Sequence, residues 1–287
     1  MLAPLDNGTI FKTAFTDKTV FKQFVKDILG IDIEVDKIET EKKFEPKIGN
    51  IDITLDIFAE STDHRVIIEI QRIDYDYNFD RFLHYFLMAI AQLQKSSEEY
   101  SIERTVYAIV VLTAPYKIDQ KNHKPIKDEV MITSLDPRNL EDKVVKVYGH
   151  KLIFLNHCYR KENTPANYCD WLDLFYESIH NPGNYHVNLN NKGIKKAVEL
   201  IEYDRLSPEQ LHLMKVDAQR KVVRKLDEEK ARKEGMEKGR KEGLKEGMEK
   251  GAENERIKMA KAMKKEGESP DKISIYTGLS KEEIEGL

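Results

Sequence analysis

The stretch from residue 51 to residue 71, IDITLDIFAESTDHRVIIEIQ, decides the fold. Its first nine residues alternate between apolar and polar side chains, which predicts a strand with one buried face. The apolar face is predicted to hold alternate residues, namely Ile51, Ile53, Leu55 and Ile57. Residues 61–64 then supply turn chemistry, and residues 66–71 form a second apolar strand. The stretch therefore predicts a β-hairpin.

The elements on either side of this hairpin predict a mixed architecture. Residues 17–29 space their apolar side chains as one helical stripe, with Thr16 or Asp17 as the cap and Gly30 at the end. The further predicted elements are a strand at 33–44, a turn at 46–50, a helix at 78–94, and strands at 105–113 and 151–155. The order of helix, three strands, helix and further strands predicts an α/β core.

The composition along the chain predicts four parts. They are a core at 1–160, a helical extension packed on it at 161–216, a charged helical linker at 217–266, and a small helix-turn-helix-like element at 267–287. In the linker, glycine recurs at every fourth position from Gly235 to Gly251. The last element is predicted to have helix caps at Ser269 and Ser280.

The tail leaves alternatives open. Glycine at each turn costs about 1 kcal/mol relative to alanine, so a solvated and partly frayed helix is the plainer interpretation. The same spacing also creates a smooth stripe against which another helix could pack, which predicts a homo-oligomer. The final element is interpreted as a packing or oligomerisation element rather than a DNA reader, because its second helix, KEEIEG, is acidic.

The composition of the whole chain excludes some classes of protein. The longest apolar runs, such as residues 107–112, are far shorter than the ~20 residues that cross a bilayer. The start, MLAPLDNGTIFK, lacks a basic segment followed by an apolar run, so we expect no signal peptide. Cys158 and Cys169 offer no disulfide framework, and a reducing cytoplasm is the expected location. The net charge of −4 argues against indiscriminate binding to phosphates.

Three polar side chains of the hairpin form a candidate site. Asp56 and Glu69 lie on neighbouring predicted strands, and Gln71 shares a face with Glu69. Antiparallel neighbours lie about 5 Å apart, so the two carboxylates could share one metal ion. A bound cation would explain a carboxylate within the apolar run VIIEIQ. The plainer alternative is the solvent side of a half-buried sheet.

These residues carry a resemblance. The run Leu55-Asp56-Ile57, the turn, Ile68-Glu69-Ile70-Gln71, and then a helix with Arg81 and Tyr85 resemble the PD-(D/E)XK nuclease superfamily. The chain is more closely similar to the bacterial recombination-promoting nuclease/transposase family over about residues 9–213, and its tail is similar to tails of that family. The resemblance implies a restriction-endonuclease-like core and Mg²⁺-dependent cleavage of DNA, with Mn²⁺ as a substitute.

The resemblance also implies roles for individual residues. Asp56 and Glu69 would bind the metal ion, with the Ile70 carbonyl as a third ligand. Gln71 would stand where the superfamily motif usually has lysine, and a neutral amide cannot replace that charge. Cleavage would then be slow, depend on a second metal ion, or recruit a basic side chain from elsewhere, for which Arg81 and Lys47 are the candidates.

Other polar residues are candidates for binding DNA or supporting the carboxylates, namely Lys47, Arg81, Tyr85 and Gln92. For the helix residues among them, an amphipathic helix packed over the sheet edge is an equally good interpretation. Asp52 shares the predicted polar face of Asp56 but lies about 13 Å away along an extended strand, so the two cannot readily bind one ion.

The leading hypothesis is a metal-dependent DNA endonuclease connected with recombination or mobile elements. The alternatives are a protein that binds DNA without cleaving it, and an oligomeric scaffold or interaction protein that assembles through the tail.

Overall fold

The computed structural model describes residues 1–44, 53–71, 79–94, 102–116 and 126–287. The predicted turn at 46–50, together with Lys47 and Asp52, lies outside these ranges. The chain forms two compact units, Met1–Ala218 and Gln219–Leu287. Among the described residues, no helix combines the length and the apolar character that crossing a membrane requires.

A mixed sheet forms the centre of the first unit. The described strands are β1 (Ile38–Phe44), β2 (Ile53–Glu60), β3 (His64–Gln71), β4 (Thr105–Leu112), β5 (Val130–Ser134) and β6 (Lys151–Asn156), in the order β1-β2-β3-β4-β6-β5. The first three strands form an antiparallel meander, whereas β3, β4 and β6 run parallel and β5 is antiparallel to β6. This arrangement confirms the predicted α/β core with its three-strand meander.

The helices of the first unit flank the sheet. They are α1 (Gly8–Phe15), α2 (Lys18–Leu29), α3 (Phe79–Ala91), α4 (Ala166–His180) and α5 (Lys192–Ile201), followed by a 3-10 turn at Tyr203–Arg205. The predicted caps of α2 are confirmed. The Asp17 side chain accepts hydrogen bonds from the amides of Thr19 and Val20, and Gly30 ends the helix with a φ of 71°.

Two hydrophobic clusters lie on opposite faces of the sheet. One joins the sheet to α1, α2, α4 and α5, and its members include Phe11, Ile57, Ile68, Val111 and Trp171. The other joins the sheet to α3, and its members include Leu55, Ile67, Phe82, Phe86 and Val110. Because alternate residues of β3 and β4 enter the two clusters, both strands are buried on both faces, as parallel strands usually are.

Two elements and some boundaries differ from the sequence prediction. The sequence pattern does not predict α1, which has only eight residues and depends on the Asn7 side chain as its cap. It does not predict β5 either, because most of this edge strand is exposed and its partner β6 is distant in the sequence. Strand β1 begins at Ile38 rather than at residue 33.

The glycine repeat lies within one continuous helix. Helix α6 (Pro208–Lys265) includes all five glycines and the change of composition at Asp217. Ion pairs with i,i+4 spacing, at Glu237–Lys241, Lys238–Glu242, Lys245–Glu249 and Glu246–Lys250, each add about 0.2–0.5 kcal/mol toward offsetting the glycines. Beyond it lie α7 (Pro270–Thr277) and α8 (Lys281–Glu285). Ser269 and Ser280 are their N-terminal caps, which confirms both predicted caps.

Helix α5 approaches α2 closely at Gly193. A Cβ atom at this position would lie 2.6 Å from Cβ of Gln23 and 3.1 Å from Cζ2 of Trp171. Next to this contact, Oδ2 of Asp27 accepts hydrogen bonds from Trp171 Nε1 and Asn191 Nδ2, both at 2.8 Å. The absence of a side chain at Gly193 therefore lets α5 join α2 and α4 under the sheet.

We expect Gly193→Ala to lower the free energy of unfolding by about 1–3 kcal/mol, because the added methyl group overpacks the α2–α5 contact. Chemical denaturation followed by the fluorescence of Trp171, the chain's one tryptophan, measures this change. Gly183→Ala is the matched control, since nothing lies within 4 Å of its Cβ position. Equal stability of the two variants would contradict the prediction.

Candidate active site

The pairing of β2 with β3 ends at the candidate carboxylates. The backbone register runs from Glu60–Arg65 to Ile57–Ile68 and goes no further. Beyond it, Oε1 of Glu69 accepts a hydrogen bond from the Asp56 amide at 2.9 Å, and Oδ2 of Asp56 accepts one from the Ile70 amide at 3.1 Å. Each strand therefore satisfies an amide of the other with a carboxylate, and the two acids are held side by side.

The alternation of side chains along β2 is interrupted at the same place. Leu55 packs in the α3 cluster, whereas Ile57 packs in the cluster on the opposite face. The prediction that Leu55 and Ile57 share one face is therefore wrong. In β1, Glu41 lies opposite Asp56, between the pairs Thr40–Ile57 and Lys42–Leu55. Its φ is 53°, so the backbone of β1 is irregular at the same place as that of β2. A left-handed residue other than glycine costs about 1–2 kcal/mol, and this one lies beside the candidate site.

Glu69 is buried and Asp56 is partly exposed. Only 5% of the surface of Glu69 is accessible. Burial, and then the negative charge of Asp56, raise the pKa of Glu69 to about 8, against the lowering effects of the Asp56 amide and of the charges on Arg81 and Lys12. Two adjacent carboxylates with this degree of burial favour either a proton or a cation between them.

Gln71 lies at the end of β3, where two neighbours hold it. Nη2 of Arg81 donates to Oε1 of Gln71 at 2.5 Å, so the amide's NH₂ group is the end that can donate to a ligand. The backbone carbonyl of Gln71 accepts hydrogen bonds from both the amide and the hydroxyl of Thr113, each at 3.0 Å. The Arg81 guanidinium lies over the rings of Phe82 and Tyr85, at 4.6 and 5.7 Å from their centroids.

Tyr85 borders the same carboxylates. Its pKa is raised, mainly by burial and also by the charges of Glu69 and Asp56, while Arg81 opposes the shift. Gln92 follows the end of α3, seven residues beyond Tyr85, or about 10 Å along a helix axis. The structure thus brings Asp56, Glu69, Gln71, Arg81 and Tyr85 together. It places Gln92 at a distance, and Lys47 lies outside the described residues.

Lys12 is a further residue near this site, and the sequence pattern does not predict it. Lys12 lies on α1, and its Nζ pairs with Oε1 of Glu41 at 2.8 Å. Its charge acts on Glu69 across the sheet. No spacing in the sequence links residue 12 to the hairpin, because the approach depends on how α1 packs on the sheet.

The donor set fits one divalent cation with hard oxygen ligands. Among the described residues, no group of three or more His, Cys, Asp or Glu side chains could hold a metal ion. The two carboxylates and the Ile70 carbonyl nevertheless match the habit of magnesium, which takes one or two carboxylates from a protein and completes its shell with water or phosphate. Among the described residues, the hydrogen bonds that these two acids accept involve one oxygen of each, Oδ2 of Asp56 and Oε1 of Glu69. Each acid therefore has a second oxygen for a ligand.

We expect Glu69→Gln to stabilise the protein at pH 8 in the presence of a chelator. The pKa of Glu69 is about 8 in the folded state against about 4.5 when unfolded, so the folded chain holds an extra proton between these values. The wild type then loses up to about 1.4 kcal/mol per pH unit over this window as the pH rises, whereas glutamine loses nothing. Thermal unfolding at several pH values measures the difference, and curves that stay parallel from pH 5 to pH 8.5 would contradict it.

The comparisons with known proteins identify a family. No curated protein and no solved structure matches the chain. A family model described as PD-(D/E)XK nuclease family transposase matches residues 9–233, which is 225 of the 287 residues. The match includes the whole sheet and every residue of the candidate site. With three quarters of its length matched and its two acids opposed across the β2–β3 hairpin, the chain belongs to the PD-(D/E)XK nuclease family transposases.

Proposed function

We propose that the protein is a metal-dependent endonuclease that hydrolyses phosphodiester bonds of DNA. The family supports a nuclease or transposase-like role. The observation that carries the finer proposal is the pair of buried Glu69 and partly exposed Asp56. Each carboxylate accepts a hydrogen bond from an amide of the other strand, and the burial of Glu69 beside a second acid has a high cost in desolvation. A divalent cation offsets that cost, and Mg²⁺ suits the oxygen ligands, with Mn²⁺ as a substitute.

The residues of the chain divide the work of the proposed reaction. Asp56, Glu69 and the Ile70 carbonyl hold the cation, which when bound polarises the phosphate and activates water. Gln71, held by Arg81, offers its NH₂ group to the attacking water or to a phosphate oxygen. Arg81 supplies positive charge at the exposed side of the site.

A wider set of residues would contact DNA or support the carboxylates in this proposal, namely Lys47, Arg81, Tyr85 and Gln92. Tyr85 supports the carboxylates from α3, since their charges reach its hydroxyl. Gln92, about 10 Å further along, suits a neighbouring phosphate rather than the one that is cleaved. Recombination or movement of DNA elements is the setting that the name of the family suggests.

A second candidate function is DNA binding without cleavage. It is favoured by Gln71, because an uncharged amide stabilises a developing negative charge less well than lysine would. An oligomeric scaffold is a third candidate, supported by the glycine stripe of α6, where the described chain places nothing within 4 Å of the Cβ positions of Gly239 and Gly243.

Plasmid nicking separates the first two candidates. We expect the wild type to nick supercoiled DNA with Mg²⁺ or Mn²⁺ and not with a chelator. Asp56→Asn and Glu69→Gln should each lower the rate at least 100-fold, because loss even of groups that support metal ligands typically costs about 10–100-fold. Asp63→Asn is the matched control, since this carboxylate lies in the exposed turn of the same hairpin.

The outcomes of this assay are distinct. Cleavage that persists in both site variants would refute the site. Retained DNA binding with no metal-dependent cleavage in the wild type would favour the second candidate. Because Mn²⁺ competes with the proton on Glu69, we also expect Mn²⁺ at pH 8 to raise the melting temperature of the wild type and not of Glu69→Gln.

We also propose that the tail forms a homo-oligomer and that residues 217–266 link the core and its helical extension to the small element at 267–287. Replacing Gly239 and Gly243 by glutamine should dissociate the oligomer, because side chains would then fill the smooth stripe. Lys238→Gln with Glu242→Gln is the matched control, which changes the same two turns of the helix. Sedimentation at high micromolar concentration measures the mass, and a wild-type monomer would refute the proposal.

A further inference from the structure

We infer that Lys12 is a phosphate-binding residue of the active site and that it supplies the positive charge that Gln71 lacks. The inference rests on the proposed nuclease function and assigns it one further residue. In this role the Lys12 ammonium group donates a hydrogen bond to an oxygen of the phosphate that is cleaved. It transfers no proton, so the attacking water and the leaving oxygen exchange protons with other groups.

The position of Lys12 is the first reason. Its Nζ lies 2.8 Å from Oε1 of Glu41, and Glu41 lies across from Asp56 in the β1–β2 register. Neighbouring strands are about 4.8 Å apart, so the ammonium group is tethered one strand away from a metal-binding carboxylate. The left-handed φ of Glu41 occurs in the same place, where both strands depart from regular alternation.

The placement of two cations on the two faces of the sheet is the second reason. Arg81 donates to Gln71 at the end of β3, and Lys12 pairs with Glu41 in β1. Arg81 comes from α3, whereas Lys12 comes from α1, and these helices pack on opposite faces of the sheet. The two cations therefore approach the carboxylate pair from the two faces of the sheet.

Lys12 is better suited than Arg81 to take the place of the motif lysine. The Arg81 guanidinium already binds Gln71 and stacks on two aromatic rings, so it positions the amide. Lys12 is paired with Glu41, whose side chain is 69% exposed. An ion pair of this kind contributes about 0–1 kcal/mol, so the ammonium group can exchange Glu41 for a phosphate oxygen at little cost. An ammonium also acts as a compact point charge.

The test compares Lys12→Gln with Lys22→Gln, a control that removes a partly exposed lysine of α2, which is paired with Glu34. We expect Lys12→Gln to lower the nicking rate at saturating Mn²⁺ and DNA at least 10-fold, while Lys22→Gln stays within about twofold of the wild type. Adding Gln71→Lys to Lys12→Gln should restore most of the rate, because the charge returns at the motif position. Thermal unfolding checks that each variant is folded.

A second readout does not depend on cleavage. Without DNA, Lys12→Gln should bind Mn²⁺ about 3–10-fold more tightly than the wild type by calorimetry, because a like charge near the cation has been removed. Wild-type rate and wild-type Mn²⁺ affinity in Lys12→Gln would overturn the inference and leave the nuclease intact. A slower variant with unchanged Mn²⁺ affinity and no rescue by Gln71→Lys would show a structural role and overturn it as well. A wild type that neither binds Mn²⁺ nor cleaves would overturn the proposed function and this inference together.

Discussion

The site depends on two hydrogen bonds, in which the carboxylates of Asp56 and Glu69 each accept from a backbone amide of the other's strand. Backbone pairing of β2 with β3 ends at Ile57–Ile68. Beyond it the carboxylates accept hydrogen bonds from the amides of Asp56 and Ile70, so neither amide is a buried donor without a partner. This arrangement buries an acid whose pKa is raised to about 8, and the proposed cation would offset that cost.

The rest of the sheet holds the two carboxylates in place. Strand β3 is paired with β4 along all eight of its residues, from His64–Thr105 to Gln71–Leu112, so the position of β3 is fixed where its pairing with β2 ends. At the closed end of the hairpin, Arg65 pairs with Glu60 and donates to the Ala89 carbonyl of α3 at 2.6 Å. That buried guanidinium fixes α3 against the hairpin, and α3 in turn carries Arg81 to Gln71. The geometry of the site is therefore a consequence of packing on both sides of it.

The sequence predicts the parts of this arrangement that depend on local pattern. Period-two runs identify β2 and β3, and the cap residues Asp17 and Gly30 define α2, because these features are set by neighbours in the chain. The face switch between Leu55 and Ile57 was not predictable, since an alternating sequence gives no sign of an interrupted register. The approach of Lys12 to Glu69 was not predictable either, because it is created by the packing of α1 on the sheet.

The glutamine at position 71 determines where the proposed site would obtain its positive charge. A lysine at this position would place its charge on the strand itself. With glutamine, the strand would supply only hydrogen bonds, and the proposed sources of positive charge are Arg81 on α3 and Lys12 on α1, which pack on the two faces of the sheet. A cation on a helix moves when the packing of that helix shifts, and it can form an ion pair with a nearby acid, as Lys12 does with Glu41. In the proposed nuclease, the two acids would thus fix where the cation binds, whereas the packing of the helices would decide how well the site stabilises a phosphate.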